Sequence, residues 1–394
     1  MFRRGRAVVL ALVSMTVADA CGGPPPPAQP PPVIATPDER LLVIDARRHA
    51  HDRNFEAADR KYEQAYGVAR SFDVLSERVE LLLHIGHATR GQEIARQYCD
   101  RNPTDARGSH LYAEALIAGN KGQEALQVID QLLRTNPQDA AAHDKRGRAL
   151  SLYGTTQEAL DELRQAVQLD PASPAFHMSL GNALHKLGQI NEAALEFRSA
   201  LKGAPDDPMA HVLVGMALRD QDELDESKSF LDKALEIDPE NGRAYFELGL
   251  LYNRQLKQVE AEAALAKAVE LSPNDSRFWY AYGEIYRLQQ RFDEAIRAYR
   301  RAVDSDPPYG KAIGKLGQLL VMRKAFDDAE PLLIKAIAQD RDVAANYFSL
   351  GLVYVARGEA KLAAKNLARF LELAPKNDPD REHARDVLRQ LRRN

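Results

Sequence analysis

The chain has 394 residues, of which 45% are apolar and 28% are charged, and its formal net charge at pH 7 is −4. This composition is typical of a folded protein with a large apolar core, and it excludes a chain that is disordered throughout. The mildly acidic balance offers no positive field for a nucleic acid, and two cysteines cannot form a disulfide scaffold.

Residues 1–20 predict an export signal. Several arginines near the start precede an apolar run at 7–17, which is shorter than the ~20 residues that cross a bilayer as a helix. The small residues Ala18 and Ala20 then form a signal-cleavage pattern, and Cys21 follows it directly. We therefore expect removal of 1–20 and an exported mature chain that starts at Cys21.

The placement of Cys21 resembles a bacterial lipobox, although Ala18 stands where that motif usually has leucine. The resemblance implies a lipid on Cys21, and the Pro-rich segment 21–37 is then interpreted as a tether to the membrane. Gly22 is not the aspartate that retains such lipoproteins in the inner membrane, so the resemblance implies the periplasmic face of the outer membrane. The alternative is ordinary cleavage after Ala20, which leaves a soluble periplasmic or secreted protein.

The rest of the chain repeats with a period of 34 residues. One position is occupied by glycine in successive copies, at Gly147, Gly181, Gly215, Gly249, Gly283, Gly317 and Gly351. A second position is alanine from Ala166 to Ala336, and prolines such as Pro137 and Pro273 stand near the end of each copy. Glycine inside a helix costs about 1 kcal/mol relative to alanine, so its recurrence predicts a close crossing of two helices.

This pattern resembles the tetratricopeptide repeat (TPR) at its marker positions. In the copy that starts at Ser276 the markers are Trp279, Tyr282, Gly283, Tyr286, Ala295, Tyr299, Ala302 and Pro307. The resemblance divides the chain into two degenerate copies at 38–105, eight regular copies at 106–377 and a C-terminal capping helix at 378–394. It implies an all-α fold, a right-handed TPR superhelix or α-solenoid in which each copy buries its faces against its neighbours.

The sequence contains no motif of a nucleophilic, zinc-dependent or nucleotide-binding enzyme. Three Asp-x-Asp runs could hold a metal ion in a glycosyltransferase, at 304–306, 340–342 and 378–380. All three lie between copies, where aspartate caps helices, and we predict that structural role for them.

Three histidines lie one period apart, at His143, His177 and His211, and they occupy the place that Trp279 has in its own copy. Equivalent points on stacked copies do not converge, so these histidines are predicted to pack and not to bind a metal. Cys99 falls at a small position of the repeat and is predicted to be a buried core thiol. We expect no cofactor, no metal ion and no enzyme activity.

The resemblance also implies a binding surface. TPR proteins hold peptides on the concave face, at positions 2, 5, 9, 12 and 13 of each copy. In this chain those positions form an apolar, methionine-containing strip with interleaved arginines, which would pair with carboxylates of the partner. The predicted partner-binding groove consists of Met178, Asn182, Met209, Val212, Met216, Arg219, Arg243, Phe246, Leu250, Arg254, Arg277, Tyr280, Arg287 and Lys311.

The function implied by these features is a non-enzymatic scaffold of the bacterial cell envelope, tethered by lipid, that assembles a multiprotein complex. Its partner would be a protein or peptide, with no nucleic acid and no small-molecule substrate. Two alternatives stay open: a periplasmic carrier or chaperone for apolar peptide segments, and an accessory subunit of a pilus, secretion or cell-wall enzyme machine.

Overall fold

The computed structural model describes residues 37–154, 156–305 and 308–391. These ranges contain 21 α-helices and a short 3₁₀ turn at Ser151–Tyr153, with no strand among them. The predicted signal segment, Cys21, nearly all of the tether, Asp306 and Pro307 lie outside the described residues. In the described part of the chain, no helix is long and apolar enough to cross a membrane. Internal contacts divide the chain into two compact units, 1–95 and 96–394.

Unit 1 contains the helices of the degenerate copies, which are α1 (Pro37–His51), α2 (Phe55–Ala69), α3 (Phe72–His84) and the start of α4 (Ala88–Arg101). Ala46, Tyr62, Ala65 and Val74 form its buried core. A buried ion pair supplements this core, because Arg78 donates to Asp59 at 2.7 Å and both side chains are almost fully enclosed.

Unit 2 consists of helix pairs that repeat every 34 residues. The pairs are α5 (Ala106–Ala118) with α6 (Gly122–Thr135), α7 (Ala140–Leu150) with α8 (Gln157–Leu169), α9 (Pro174–Lys186) with α10 (Ile190–Gly203), α11 (Pro208–Asp220) with α12 (Leu224–Ile237), α13 (Gly242–Arg254) with α14 (Gln258–Leu271), α15 (Ser276–Leu288) with α16 (Phe292–Asp304), α17 (Gly310–Met322) with α18 (Phe326–Gln339), and α19 (Ala344–Ala356) with α20 (Ala360–Leu373). The first helix of each pair begins at a predicted start of a copy, and the predicted all-α repeat fold is confirmed.

Local sequence explains where many first helices begin. Aspartate or asparagine immediately before the helix accepts a hydrogen bond from a backbone N–H of its first turn, at Asp105, Asp139, Asp207, Asn241 and Asp275. Such caps satisfy backbone donors that have no partner inside the helix, and each contributes about 1 kcal/mol.

The recurrent glycines lie where the two helices of a pair cross. A Cβ atom at Gly283 would be 2.7 Å from the ring of Tyr299, and one at Gly215 would be 2.8 Å from Leu231. Real side chains do not approach so closely, so the predicted close crossing is confirmed at both positions.

The last helix, α21 (Asp380–Leu391), packs on the second helix of the final pair. Ala384 is fully buried against a cluster that includes Leu367 and Phe370. Arg381 donates to the backbone carbonyls of Leu371 and Ala374 at 2.8 and 2.7 Å, which satisfies carbonyls at the end of α20. The described part of the predicted capping segment therefore closes both the apolar face and the open helix end of that pair.

Candidate functional site

Most neighbouring first helices of unit 2 lie side by side in contact with each other. Helices α5 and α7, α7 and α9, α9 and α11, α11 and α13, α13 and α15, and α17 and α19 are in contact. Side chains at equivalent positions of neighbouring first helices therefore meet, as Arg148 and Glu114 do in a two-pronged ion pair at 2.5 and 2.9 Å. We call the surface formed by positions 2, 5, 9, 12 and 13 of these helices the first-helix face.

The end of the first-helix face nearest α5 is charged, which the sequence analysis missed. Glu114, Asp144 and Arg148 occupy positions 9, 5 and 9 of their copies, and Lys145 lies beside them. Burial raises the pKa of Asp144, although Arg148 opposes the shift. The position rule that selected Met178 also selects these residues, so the signal was present and was passed over in favour of the apolar strip.

Three predicted groove residues are core residues, which corrects the expectation that their side chains are open to a partner. Val212, Met216 and Phe246 are only 0%, 5% and 9% exposed. Val212 belongs to a buried cluster shared with α12, α13 and α14, and Phe246 stacks on Phe278 with ring centroids 4.5 Å apart. Neighbouring helices cover these positions, which the periodicity of one helix cannot reveal.

Several other predicted residues do reach the surface of the first-helix face. Met178, Leu250 and Tyr280 are half-buried, while Met209 and Asn182 are exposed. Arg254, Arg277 and Lys311 are exposed as well. The open apolar area is therefore smaller and more interrupted than the predicted continuous strip.

The arginines of the face already pair with carboxylates of the protein, an arrangement that the sequence did not predict. Glu247, whose side chain is 1% exposed, accepts from both Arg219 and Arg243. Arg219 also pairs with Asp220. The remaining predicted arginines have carboxylates of their own, in the pairs Arg254 with Asp222, Arg277 with Asp275, and Arg287 with Glu284. A buried carboxylate needs such partners, so the protein's own charges use these guanidinium groups.

Tyr280 is the centre of an aromatic group. Its ring lies 5.8 Å from that of Tyr299 and 4.9 Å from that of Tyr309, measured between centroids. Burial and the negative charge of Glu284 raise the pKa of Tyr280 to about 12, so its hydroxyl stays protonated and can donate to a ligand. Arg287 and the hydroxyl of Tyr299 both donate to Glu284, which holds that carboxylate in place.

The periodic histidines have a structural role, and the prediction that they pack is confirmed. The ring N–H groups of His143, His177 and His211 donate to the carbonyls of Pro137, Pro171 and Pro205 at 3.1, 3.0 and 2.9 Å. The indole N–H of Trp279 donates in the same way to the Pro273 carbonyl at 2.7 Å. Within the described ranges, no group of three or more histidine, cysteine or acidic side chains is placed to hold a metal ion.

Two of the three Asp-x-Asp runs have a structural role at turns, although Asp340 closes its turn without capping α19 as predicted. Asp340 and Asp378 accept hydrogen bonds from the backbone of Asp342 and Asp380 at 3.0 and 2.9 Å. Asp306 of the remaining run lies outside the described residues. Cys99 is a free thiol that is half-buried and not fully enclosed as predicted, and burial raises its pKa.

An array of helix pairs with this period, this glycine crossing and first helices in contact along the array defines a helical-repeat scaffold for protein–protein interaction. Two tetratricopeptide repeat family models match the chain, one at 80–149, 152–216 and 286–351 and the other at 213–276 and 259–309. The first model alone matches just over half of the chain, so the protein belongs to the tetratricopeptide repeat family. No curated protein matches the chain in sequence at a significant level.

Solved structures show the same fold at low identity. Yeast Tom70 has a TM-score of 0.51 and 14% identity over 90% of this chain and 95% of its own. Cut9–Hcn1, an APC/C hetero-tetramer, has a TM-score of 0.57 and 16% identity over 90% and 76%. The human IFIT1 dimer with PPP-AAAA has a TM-score of 0.53 and 16% identity over 87% and 92%. These similarities establish the fold alone.

Proposed function

We propose that this protein is a non-enzymatic scaffold of the bacterial cell envelope that is tethered by lipid at Cys21 and holds a protein partner on the first-helix face of unit 2. The observation that carries the proposal is the layer of contacting first helices, on which half-buried apolar and aromatic side chains alternate with internally paired charges. Such a face can bury a partner's side chains without first breaking a hydrogen-bonded network.

The pairing of the arginines determines how the partner would be held. Because Glu247 and its neighbours neutralise them, the binding energy comes from apolar contact at Met178, Met209 and Leu250 and from the hydroxyl of Tyr280. Methionine is suited to this role because its unbranched, polarizable side chain repacks around different ligands. Aromatic side chains such as Tyr280 are frequent energetic centres of interfaces.

The tether is supported by the sequence. The cleavage pattern before Cys21 and the Pro-rich stretch that follows it combine an attachment point with an extended spacer. Replacing Cys21 by alanine should move the mature chain from the membrane fraction to the soluble fraction. A wild-type protein that is exported and already soluble would contradict the lipid anchor and support ordinary cleavage after Ala20.

A photo-cross-linking residue placed at Tyr280 tests the binding face in the producing cell. We expect one abundant cross-linked protein, because a scaffold holds a defined partner. The matched control is the same residue at Leu256, which is exposed but lies in the turn after α13 and off the first-helix face. Many unfolded clients at Tyr280 would support the carrier or chaperone alternative, and equal products at both positions would contradict the assignment of the face.

The contribution of the face is tested by the double variant Leu250→Ala and Tyr280→Ala. We expect the free energy of partner binding to weaken by about 2–4 kcal/mol, because tyrosine is a frequent energetic centre of interfaces and the loss of Leu250 removes further apolar contact. Leu256→Ala should leave affinity unchanged. If the double variant binds normally, the charged end around Glu114 and Arg148 becomes the site to examine.

A further inference from the structure

A groove of about 410 Å³ lies between the two helices of the pair that starts at Ser276. We call it the 276 groove. One wall consists of three aromatic residues of α15, which are Trp279, Tyr282 and Tyr286. The opposite wall includes three arginines of α16, which are Arg297, Arg300 and Arg301. The aromatic residues stand at positions 4, 7 and 11 of the copy, so the groove uses none of the residues of the first-helix face.

The arginines of the 276 groove differ from those of the first-helix face, because none of the three forms an ion pair with another described residue. Arg297, Arg300 and Arg301 are exposed and share one side of α16, because three and four residues separate neighbours on a helix. No carboxylate of a described residue lies within ion-pair distance of any of the three. They are therefore available to an anionic ligand.

A groove of the same kind in the pair that starts at Pro208 provides an internal comparison, and we call it the 208 groove. Its cations are already neutralised, since Lys228 pairs with Asp232 at 2.5 Å and Lys233 pairs with Glu236 at 2.8 Å. Asp232 lies two repeat periods before Arg300 and is therefore its equivalent in the 208 groove. The change from carboxylate to guanidinium at this position reverses the charge of that wall. The 208 groove is lined by more carboxylates than cations, and the 276 groove by more cations than carboxylates.

The two grooves also differ in the residue that lies beside the ring at position 4. In the 208 groove Phe230 packs on the ring of His211, with centroids 5.9 Å apart. The equivalent residue in the 276 groove is Ala298, whose methyl group cannot stack on the ring of Trp279 as Phe230 does on His211. An apolar side chain of a ligand can occupy the position that Phe230 takes in the 208 groove.

Hydrogen-bonding groups complete the 276 groove. The indole N–H of Trp279 is engaged by the Pro273 carbonyl, so that ring offers its face alone. The hydroxyls of Tyr282 and Tyr286 are 2.6 Å apart and share one hydrogen bond, which leaves one O–H of the pair to donate outward. Burial and this hydrogen bond raise the pKa of Tyr282, so its hydroxyl stays protonated at neutral pH.

We propose that the 276 groove is a second docking site of the scaffold and binds an acidic peptide segment with an apolar side chain. Carboxylates of the peptide pair with Arg297 and Arg300, whose planar guanidinium groups match a carboxylate with two parallel hydrogen bonds. The apolar side chain lies on Trp279 above Ala298. This site is independent of the first-helix face, so failure of either assignment leaves the other intact.

An acidic peptide fits the observations better than a nucleic acid does. Glu294 and Asp304 also line the groove, and the chain as a whole has a net charge of −4. A continuous phosphate backbone would be repelled by both, because its affinity depends on neutralising many phosphates at once. A short peptide can place its few carboxylates against the arginines alone.

Trp279 is the single tryptophan of the chain, so the emission of the intact protein reports directly on this groove. The probe is a labelled peptide of alternating glutamate and leucine, which has no tryptophan. We expect a saturable change in emission that coincides with the rise in peptide anisotropy. A peptide with glutamine in place of glutamate should bind at least about tenfold more weakly, because the charge-assisted pairs are lost.

The double variant Arg297→Glu and Arg300→Glu should weaken binding by about tenfold or more while the thermal unfolding curve is unchanged, since both residues are exposed. The matched control, Lys228→Glu with Lys233→Glu in the 208 groove, makes the same change in net charge and should bind as wild type does. The proposal is overturned if the folded protein does not bind the peptide, if both double variants lose binding equally, or if anisotropy rises without a change in emission. Tighter binding of a single-stranded oligonucleotide at Trp279 would also overturn it.

Discussion

The copies that start at Pro208 and at Ser276 have the same backbone arrangement and different chemistry. In both, a glycine lies at the helix crossing, Gly215 or Gly283, and a ring N–H donates to a proline carbonyl in the preceding turn. The first copy has Met216 at position 9 of its first helix, where it is buried, and the second has Glu284, which is partly exposed.

The difference shows which positions define the fold and which define the surface. Glycine, alanine and the ring at position 4 recur because they hold two helices and a turn together. Positions 5 and 9 make contacts between copies, so their burial depends on the residues of the next first helix. Two copies can therefore be equally good repeats and present different surfaces.

The largest change in the free energy of unfolding is expected where an arginine of one copy pairs with a carboxylate of the next copy. Arg219 of the Pro208 copy relies on Glu247 of the next copy, whose side chain is 1% exposed, while Glu284 is 23% exposed and pairs with Arg287 of its own helix. Glu247→Gln should cost about 3–5 kcal/mol, because it leaves the partly enclosed Arg243 without its carboxylate and Arg219 with Asp220 alone. Glu284→Gln should cost much less, and the urea midpoint of the helical signal measures both. Equal midpoints would show that the pair across copies is not what stabilises this region.

The shared crossing is tested by placing a side chain in it. Gly215→Leu and Gly283→Leu should each destabilise by about 1–3 kcal/mol and to a similar extent, because overpacking forces the two helices of a pair apart. Gly67 of α2 is the control, since a Cβ atom there meets nothing within 4 Å and Gly67→Ala should stabilise by up to about 1 kcal/mol. A Leu variant that unfolds as wild type does would show that its crossing has room to spare.

The hydrogen bond from the ring to the proline carbonyl should contribute more stability in the Ser276 copy than in the Pro208 copy. Trp279→Phe removes one satisfied N–H donor and should cost about 1 kcal/mol. His211→Phe removes the same bond but also removes a buried ring nitrogen, Nδ1, that no described residue satisfies, so we expect a smaller loss. Thermal unfolding of the two single variants measures the difference, and a larger loss for His211→Phe would contradict this account.

The smallest expected effect is a difference between the two copies in how much stability is lost at acidic pH. Burial opposes ionisation of Glu284, but hydrogen bonds from Arg287 and Tyr299 lower its pKa below the usual 4.5. A carboxylate with a lowered pKa contributes stability above pH 4.5 that is lost as the pH falls further, through its folded-state value. Glu284→Gln should therefore flatten the fall in stability below pH 4.5 by an amount on the order of 0.5 kcal/mol, as expected for a partly exposed pair. Met216→Leu is the control at the same position of the Pro208 copy and should leave the pH profile unchanged.

Much of the fold could be predicted from the chain because its determinants are local and recur. A glycine that returns every 34 residues, helix-capping aspartates before first helices such as α5 and α15, and prolines between copies each act within one pair of helices or at one turn. The role of the periodic histidines followed from the same logic, since their equivalence with Trp279 placed them beside a turn. The family and the helix boundaries of the regular copies depend only on such interactions within one helix pair or at one turn.

The binding surface was decided by tertiary structure, because exposure and charge pairing depend on neighbouring copies. Periodicity placed Val212, Met216 and Phe246 on the right face of their helices, but packing by other helices determined that they are buried. The repeat positions placed arginines along that face, but only the folded chain shows that Arg219 and Arg243 share Glu247 while Arg297 and Arg300 have no described carboxylate at ion-pair distance. A sequence pattern specifies which way a side chain points, whereas the free energy available for binding depends on which groups the fold has already brought together.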